Sequence, residues 1–123
     1  MNLCLIVDDS DIVRKYTALI FEGMGFRVLG AESPKAALDR LASGERPNLI
    51  IADWRMPGAN THDFIAQVRR QKLSPRPFIL YLSTENDTAD LERAIQAGAD
   101  DYLLKPFNRE IVEAKMQEIR LAA

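Results

Sequence analysis

Five short aliphatic runs, each followed by a longer stretch of helical period, leave this chain of 123 residues few folds to adopt. The runs lie near 3–7, 27–31, 48–53, 78–82 and 101–104. Strand-like runs alternating with helical segments are the pattern of a parallel sheet covered by helices on both faces. The spacing predicts helices over 11–24, from Pro34 to just before Gly44, and over 61–71, 87–97 and 108–121.

Local signals fix the boundaries. Gly25 ends the first helix, Ser33 caps the second with Pro34 at its first position, and Gly98 closes the fourth. Pro57-Gly58 marks a loop after the third strand. The expected packing stripes are Ile12, Tyr16, Leu19, Ile20 and Gly23 on the first helix, and Phe64, Ile65 and Val68 on the third. On the fourth they are Leu91, Ala94 and Ile95, and on the last Ile111, Val112, Met116 and Ile119.

The polar residues at the run ends carry the chemistry. Asp8 and Asp9 follow the first run, Asp53 ends the third, Ser83 follows the fourth and Lys105 the fifth. In a parallel sheet these ends share one edge, where open α/β folds bind ligands. At ~4 Å and an effective dielectric of ~20, each pair of carboxylates repels by about 4 kcal/mol. Such a cluster calls for a cation, and hard, oxygen-seeking Mg²⁺ suits it. Singly, each residue has a plainer reading: Asp9 or Ser10 as a helix cap, Lys105-Pro106 as a turn, Ser83 as a loop hydroxyl. Five polar residues at independent strand ends are hard to explain that way together.

Composition narrows the rest. The length suits one domain, 1–123, whose output must pass through its surface. A net charge of -2, from 16 Lys+Arg against 18 Asp+Glu, includes no basic block; direct nucleic-acid binding is disfavoured. No apolar run reaches membrane-spanning length and no leader pattern opens the chain, so a cytoplasmic address is expected. Cys4, alone inside an aliphatic run, reads as a buried reduced thiol. His62 is expected to be solvated; Met24, Met56, Met116 and Trp54 read as packing.

The chain resembles a receiver domain of a two-component response regulator, of the chemotaxis response regulator type. The resemblance rests on Val7-Asp8-Asp9-Ser10, on Asp53-Trp54-Arg55-Met56-Pro57, on Ser83, and on the segment from Gly98 to Phe107 with Lys105-Pro106 inside it. It implies a flavodoxin-like (βα)5 doubly wound sandwich with strand order 2-1-3-4-5, an order inherited with the family rather than read from the pattern. It also implies that Asp53 accepts a phosphoryl group from a sensor histidine kinase or histidine phosphotransfer protein. Asp8, Asp9, Asp53 and the main-chain carbonyl of Arg55 would hold Mg²⁺, Lys105 would pair with the phosphoryl group, and Ser83 and Tyr102 would form the switch. Lys105-Pro106 becomes a candidate cis peptide. Output would go to an unknown protein through the face of the fourth helix, fifth strand and fifth helix.

Two positions depart from the family pattern. Thr61 stands where glycine is usual, eight residues after Asp53, so the loop leading to it is expected to take a different path. Thr84 follows Ser83 where a smaller residue is usual. With Arg55 and Glu85 it forms a rim that would set the phosphoryl lifetime, Arg55 pairing with Glu85 across the mouth.

The expectation is a signalling switch rather than an enzyme. A Mg²⁺-dependent phosphohydrolase is disfavoured because Arg55 stands where a second acid would be needed. A flavin or nucleotide module is disfavoured by the acidic Asp8-Asp9-Ser10-Asp11 turn, which repels anions. A receiver-like docking module independent of phosphorylation, or the receiver part of a longer regulator, are the remaining alternatives.

Overall fold

The computed structural model describes residues 2–84 and 87–119. Five strands, β1 (Leu3–Val7), β2 (Arg27–Ala31), β3 (Leu49–Asp53), β4 (Phe78–Ser83) and β5 (Asp101–Leu104), alternate with α1 (Asp11–Gly23), α2 (Pro34–Ala42), α3 (Thr61–Arg70), α4 (Thr88–Ala97) and α5 (Arg109–Ile119). All pairings are parallel and the order is β2-β1-β3-β4-β5. This is the expected doubly wound sandwich. Element bounds follow the sequence reading to within a residue or two in the described parts; the end of the last helix lies outside them.

Burial on both faces explains why the central strands read as unbroken aliphatic runs rather than as alternating ones. Successive residues go to opposite sides. Leu5, Val7, Ile50, Ala52, Ile79 and Tyr81 join a core with Leu41, Phe64, Ile65, Val68 and Leu91. Cys4, Ile6, Leu49, Ile51, Leu80, Leu82 and Leu103 join a second with Ile20, Phe21, Val112 and Met116. Burial pushes the Cys4 thiol well above its ordinary pKa, leaving it an inert apolar side chain.

The side of α3 facing the core is the predicted one. Helix α1 corrects the expectation. On α1, Ile12 is 80% exposed, and Leu19 and Tyr16 are exposed too, while Thr17, Ile20 and Phe21 are buried. Phe21 sets that orientation by packing edge-on against Phe26, 5.7 Å between ring centres. Thr17 is tolerated inside because its hydroxyl donates to the Val13 carbonyl at 2.9 Å. On α4 and α5 the core side is the expected one, with Leu91, Ala94, Val112 and Met116 buried, and only Ile95 and Ile111 face outward.

Every helix starts on a polar side chain that accepts from the backbone N–H three residues on. The caps are Ser10 to Val13, Ser33 to Ala36, Asn60 to Asp63, Asp87 to Asp90 and Asn108 to Ile111. Each satisfies one of the donors left over at a helix start. Ser10 caps α1, and this leaves Asp9 available for other work. The parallel register then lines up the strand ends: Val7 beside Ala52, Asp53 beside Leu82, and Ser83 beside Leu104.

Candidate functional site

Asp8 is the first residue past β1, and its backbone still holds the sheet, donating to the Ala31 carbonyl at 3.1 Å. Its carboxylate accepts the Ser10 N–H at 2.9 Å, and its carbonyl accepts the Arg14 guanidinium at 2.7 Å. Asp8 and Asp53 are buried, whereas Asp9 is exposed at the rim. One carboxylate oxygen from each of Asp8, Asp9 and Asp53 can be chosen so that all lie within 4.8 Å of one another.

Lys105 closes the site from the β5 side. Its ammonium contacts Asp53 Oδ1 directly and lies 3.6 Å from Asp8 Oδ2. Its backbone is fixed beside β4, Lys105 N–H donating to the Ser83 carbonyl at 2.7 Å; the Lys105-Pro106 peptide is cis, as expected. Asp53 Oδ2 accepts the Arg55 N–H at 3.3 Å. Ser83 is buried at the end of β4.

The Lys105 ammonium faces two buried carboxylates, with Asp9 beside them. The Asp53 pKa is raised above its ordinary value, first by burial and further by the Asp8 charge; the Lys105 ammonium and the Arg55 N–H oppose the rise. Among the described residues, buried Asp8 Oδ2 and Asp53 Oδ1 accept no aligned hydrogen bond. Two buried carboxylates beside a third form an all-oxygen anionic donor set. That set fits Mg²⁺; with no sulfur or imidazole in it, it does not fit a thiolate-seeking metal.

The remaining expected residues surround this centre. Tyr102 on β5 is 38% exposed, with the Lys115 ammonium 5.5 Å from its ring centre. It opens onto a groove of about 500 Å³ shared with Thr88, Leu91 and Ile95 of α4. Arg55 and Thr84 are exposed. Thr84 and Lys105 border a larger apolar groove of about 690 Å³ with Ile12, Tyr16 and Phe107. Glu85 lies outside the described residues, and with it the pairing to Arg55.

Two features were not anticipated. His62 is not a solvated side chain: its ring packs 5.6 Å from that of Tyr81, and its Nε2 lies 3.3 Å from Asp90 Oδ1. Tyr81, wholly buried, donates its hydroxyl to Asp90 Oδ2 at 2.8 Å, tying β4 to α4 beside the site. The Tyr81 pKa is raised by burial and then by Asp90. The second is Thr61, which is buried; its hydroxyl donates to the Asp53 carbonyl at 2.8 Å. The departure from glycine does not force an unusual backbone there, since Thr61 begins α3 and the positive φ of this loop, 74°, falls at Gly58.

Residues 4–117 match the family model described as the response regulator receiver domain. The chain is 31% identical to a chemotaxis protein CheY homolog of Campylobacter jejuni, over 94% of this chain and 89% of that one. It is 29% identical to the phosphate regulon transcriptional regulatory protein PhoB of Escherichia coli, over 94% of this chain. It spans about half the length of that relative, 50%. Among solved structures, the chemotaxis protein CheY4 of Vibrio cholerae superposes with a TM-score of 0.89 at 31% identity, covering 97% of this chain and 98% of that one. No helix among the described residues is long and apolar enough to cross a membrane.

Proposed function

The chain belongs to the response regulator receiver domain family, and from that premise we propose that it is a phosphorylation-dependent signalling switch whose phosphoacceptor is Asp53. The observation that carries the reading is the buried Asp53 carboxylate held between Asp8 and Lys105 on the sheet edge.

A carboxylate oxygen of Asp53 attacks the phosphorus of a phosphohistidine on a sensor histidine kinase or histidine phosphotransfer protein. The P–O bond forms as the P–N bond breaks, and its electron pair leaves on the imidazole nitrogen. Asp8, Asp9, Asp53 and the Arg55 main-chain carbonyl would hold Mg²⁺, which when bound neutralises charge developing on the phosphoryl oxygens. Lys105 needs only a small movement from Asp53 Oδ1 to a phosphoryl oxygen. Ser83 donates its hydroxyl to the new group and draws the start of the α4 loop inward. Tyr102 then leaves its exposed position, changing the α4, β5 and α5 face that a downstream protein reads.

Receiver domains are signalling switches rather than enzymes with separate substrates; here turnover is limited to hydrolysis of the chain's own acyl phosphate, at a rate set by Arg55, Thr84 and Glu85. The donor and this chain meet in the cytoplasm. The half-length match to a transcriptional regulator supports a second reading, in which the same switch serves as the receiver part of a longer regulator.

The test is incubation with phosphoramidate and Mg²⁺, read by intact mass. The wild type gains one phosphoryl group, and Asp53→Asn or EDTA abolishes the gain. An equal gain in both proteins, or none in either even with a phosphorylated kinase, overturns the reading.

A further inference from the structure

We propose that Thr61 is a positioning residue for the phosphoacceptor, fixing through its hydroxyl the peptide that joins Asp53 to the metal-holding loop; this deepens the reading above and rests on it. The Asp53-Trp54 peptide sits where β3 ends, and both of its polar atoms are held by other elements. Its N–H donates to the Leu82 carbonyl of β4 at 2.8 Å. Its carbonyl accepts the Thr61 hydroxyl of α3 at 2.8 Å, and the same hydroxyl lies 3.4 Å from the Trp54 carbonyl.

Pinning both ends of one peptide plane fixes the backbone rotation on its two sides, at Asp53 and at Trp54. Asp53 is thereby held with its carboxylate toward Lys105. The Arg55 N–H is directed onto Asp53 Oδ2 at 3.3 Å. The contrast with Thr17, the other buried threonine, separates this role from a packing one: the Thr17 hydroxyl bonds only within its own helix, to Val13. Thr61 reaches back across eight residues to the reacting one. A glycine at this position would have no hydroxyl to give.

The test compares Thr61→Val, Thr61→Ala and Thr61→Ser with the wild type by calorimetric titration with Mg²⁺ alone, and then by the initial rate of phosphoryl uptake from phosphoramidate. Partners that orient metal ligands are worth about 10–100-fold in affinity or activity. Valine and alanine are expected to weaken Mg²⁺ binding and slow uptake by about tenfold, and serine to restore both to within about twofold. If the valine variant does not fold, alanine against serine decides. Equal Mg²⁺ affinity and uptake in the alanine and serine variants overturns the inference while the functional reading stands. A wild type that binds Mg²⁺ but takes up no phosphoryl group overturns the functional reading, and the affinities still decide whether Thr61 orients the loop. No Mg²⁺ binding by the wild type overturns both.

Discussion

The two ends of the sheet treat half-buried and buried charge in opposite ways. At the amino ends of β4 and β5, Asp100 is surrounded by donors. Its Oδ2 accepts the Arg69 guanidinium at 2.7 Å and the Ile79 N–H at 2.9 Å, and Arg76 lies 3.1 Å from its Oδ1. Arg69 also donates to the Gly98 and Pro77 carbonyls, joining α3 to the end of α4 and the start of β4. Gly98, with φ of 126°, lets that happen: a Cβ there would come 2.5 Å from Arg69 Cγ. At the carboxyl ends, the two buried carboxylates of Asp8 and Asp53 share the Lys105 ammonium, with the Asp9 carboxylate beside them. Fully paired charge holds a structure together; incompletely paired charge is held ready for a ligand.

The sharpest way to break this comparison is to remove charge at each end. Arg69→Met leaves Asp100 with Arg76 and the Ile79 N–H alone and frees two carbonyls, and is expected to lower unfolding free energy by about 2–4 kcal/mol, the loss of several part-buried bonds, one of them between charges. Urea unfolding measures it. Asp100→Asn keeps the shape but weakens the bonds to Arg69, for an expected loss of about 1–3 kcal/mol by the same assay.

Asp53→Asn is expected to act with the opposite sign, stabilising the metal-free protein by about 0.5–2 kcal/mol at neutral pH. Its pH dependence sharpens the point. Folding raises the Asp53 pKa above its ordinary 3.8, so between those values the folded chain holds the proton that the unfolded chain has lost. Wild-type stability contributed at Asp53 therefore falls as pH rises through that window. The advantage of the asparagine variant should be absent below the ordinary value and complete above the raised one, as urea midpoints across pH in EDTA would show. The smallest effect is expected at the rim: Arg55→Ala changes stability by no more than about 0.5 kcal/mol while altering the acyl phosphate lifetime, followed by loss of the mass increment with time. An unchanged lifetime removes Arg55 from the account.

These two ends were not equally legible in the sequence. The carboxyl edge could be read because Asp8, Asp53, Ser83 and Lys105 each follow directly on an aliphatic run, and parallel topology gathers strand ends. The Arg69 and Asp100 staple could not, since its partners are 31 residues apart and meet only once the turn between α4 and β5 packs against α3. The orientation of α1, and single positions on α4 and α5, departed from expectation for a related reason. Ile12, Leu19, Ile95 and Ile111 match helical spacing, but apolar residues on two sides of a helix leave its core-facing side undetermined. Thr61 showed as a departure from the family pattern, yet its hydroxyl acquires a role only when α3 brings it beneath the Asp53 carbonyl. His62 and Asp90, on different helices, likewise needed the packed structure to meet over Tyr81.

The central claim is that the carboxyl edge is held in repulsion until a cation and a phosphoryl group relieve it. Thermal unfolding of the wild type and Asp53→Asn at neutral pH, in EDTA and then in Mg²⁺, tests it most directly. The account predicts that the asparagine variant unfolds at the higher temperature in EDTA, and that Mg²⁺ raises the wild type more, closing or reversing the gap by mass action on the folded state. An asparagine variant no more stable than the wild type in EDTA, or a gap that Mg²⁺ leaves unchanged, would contradict it.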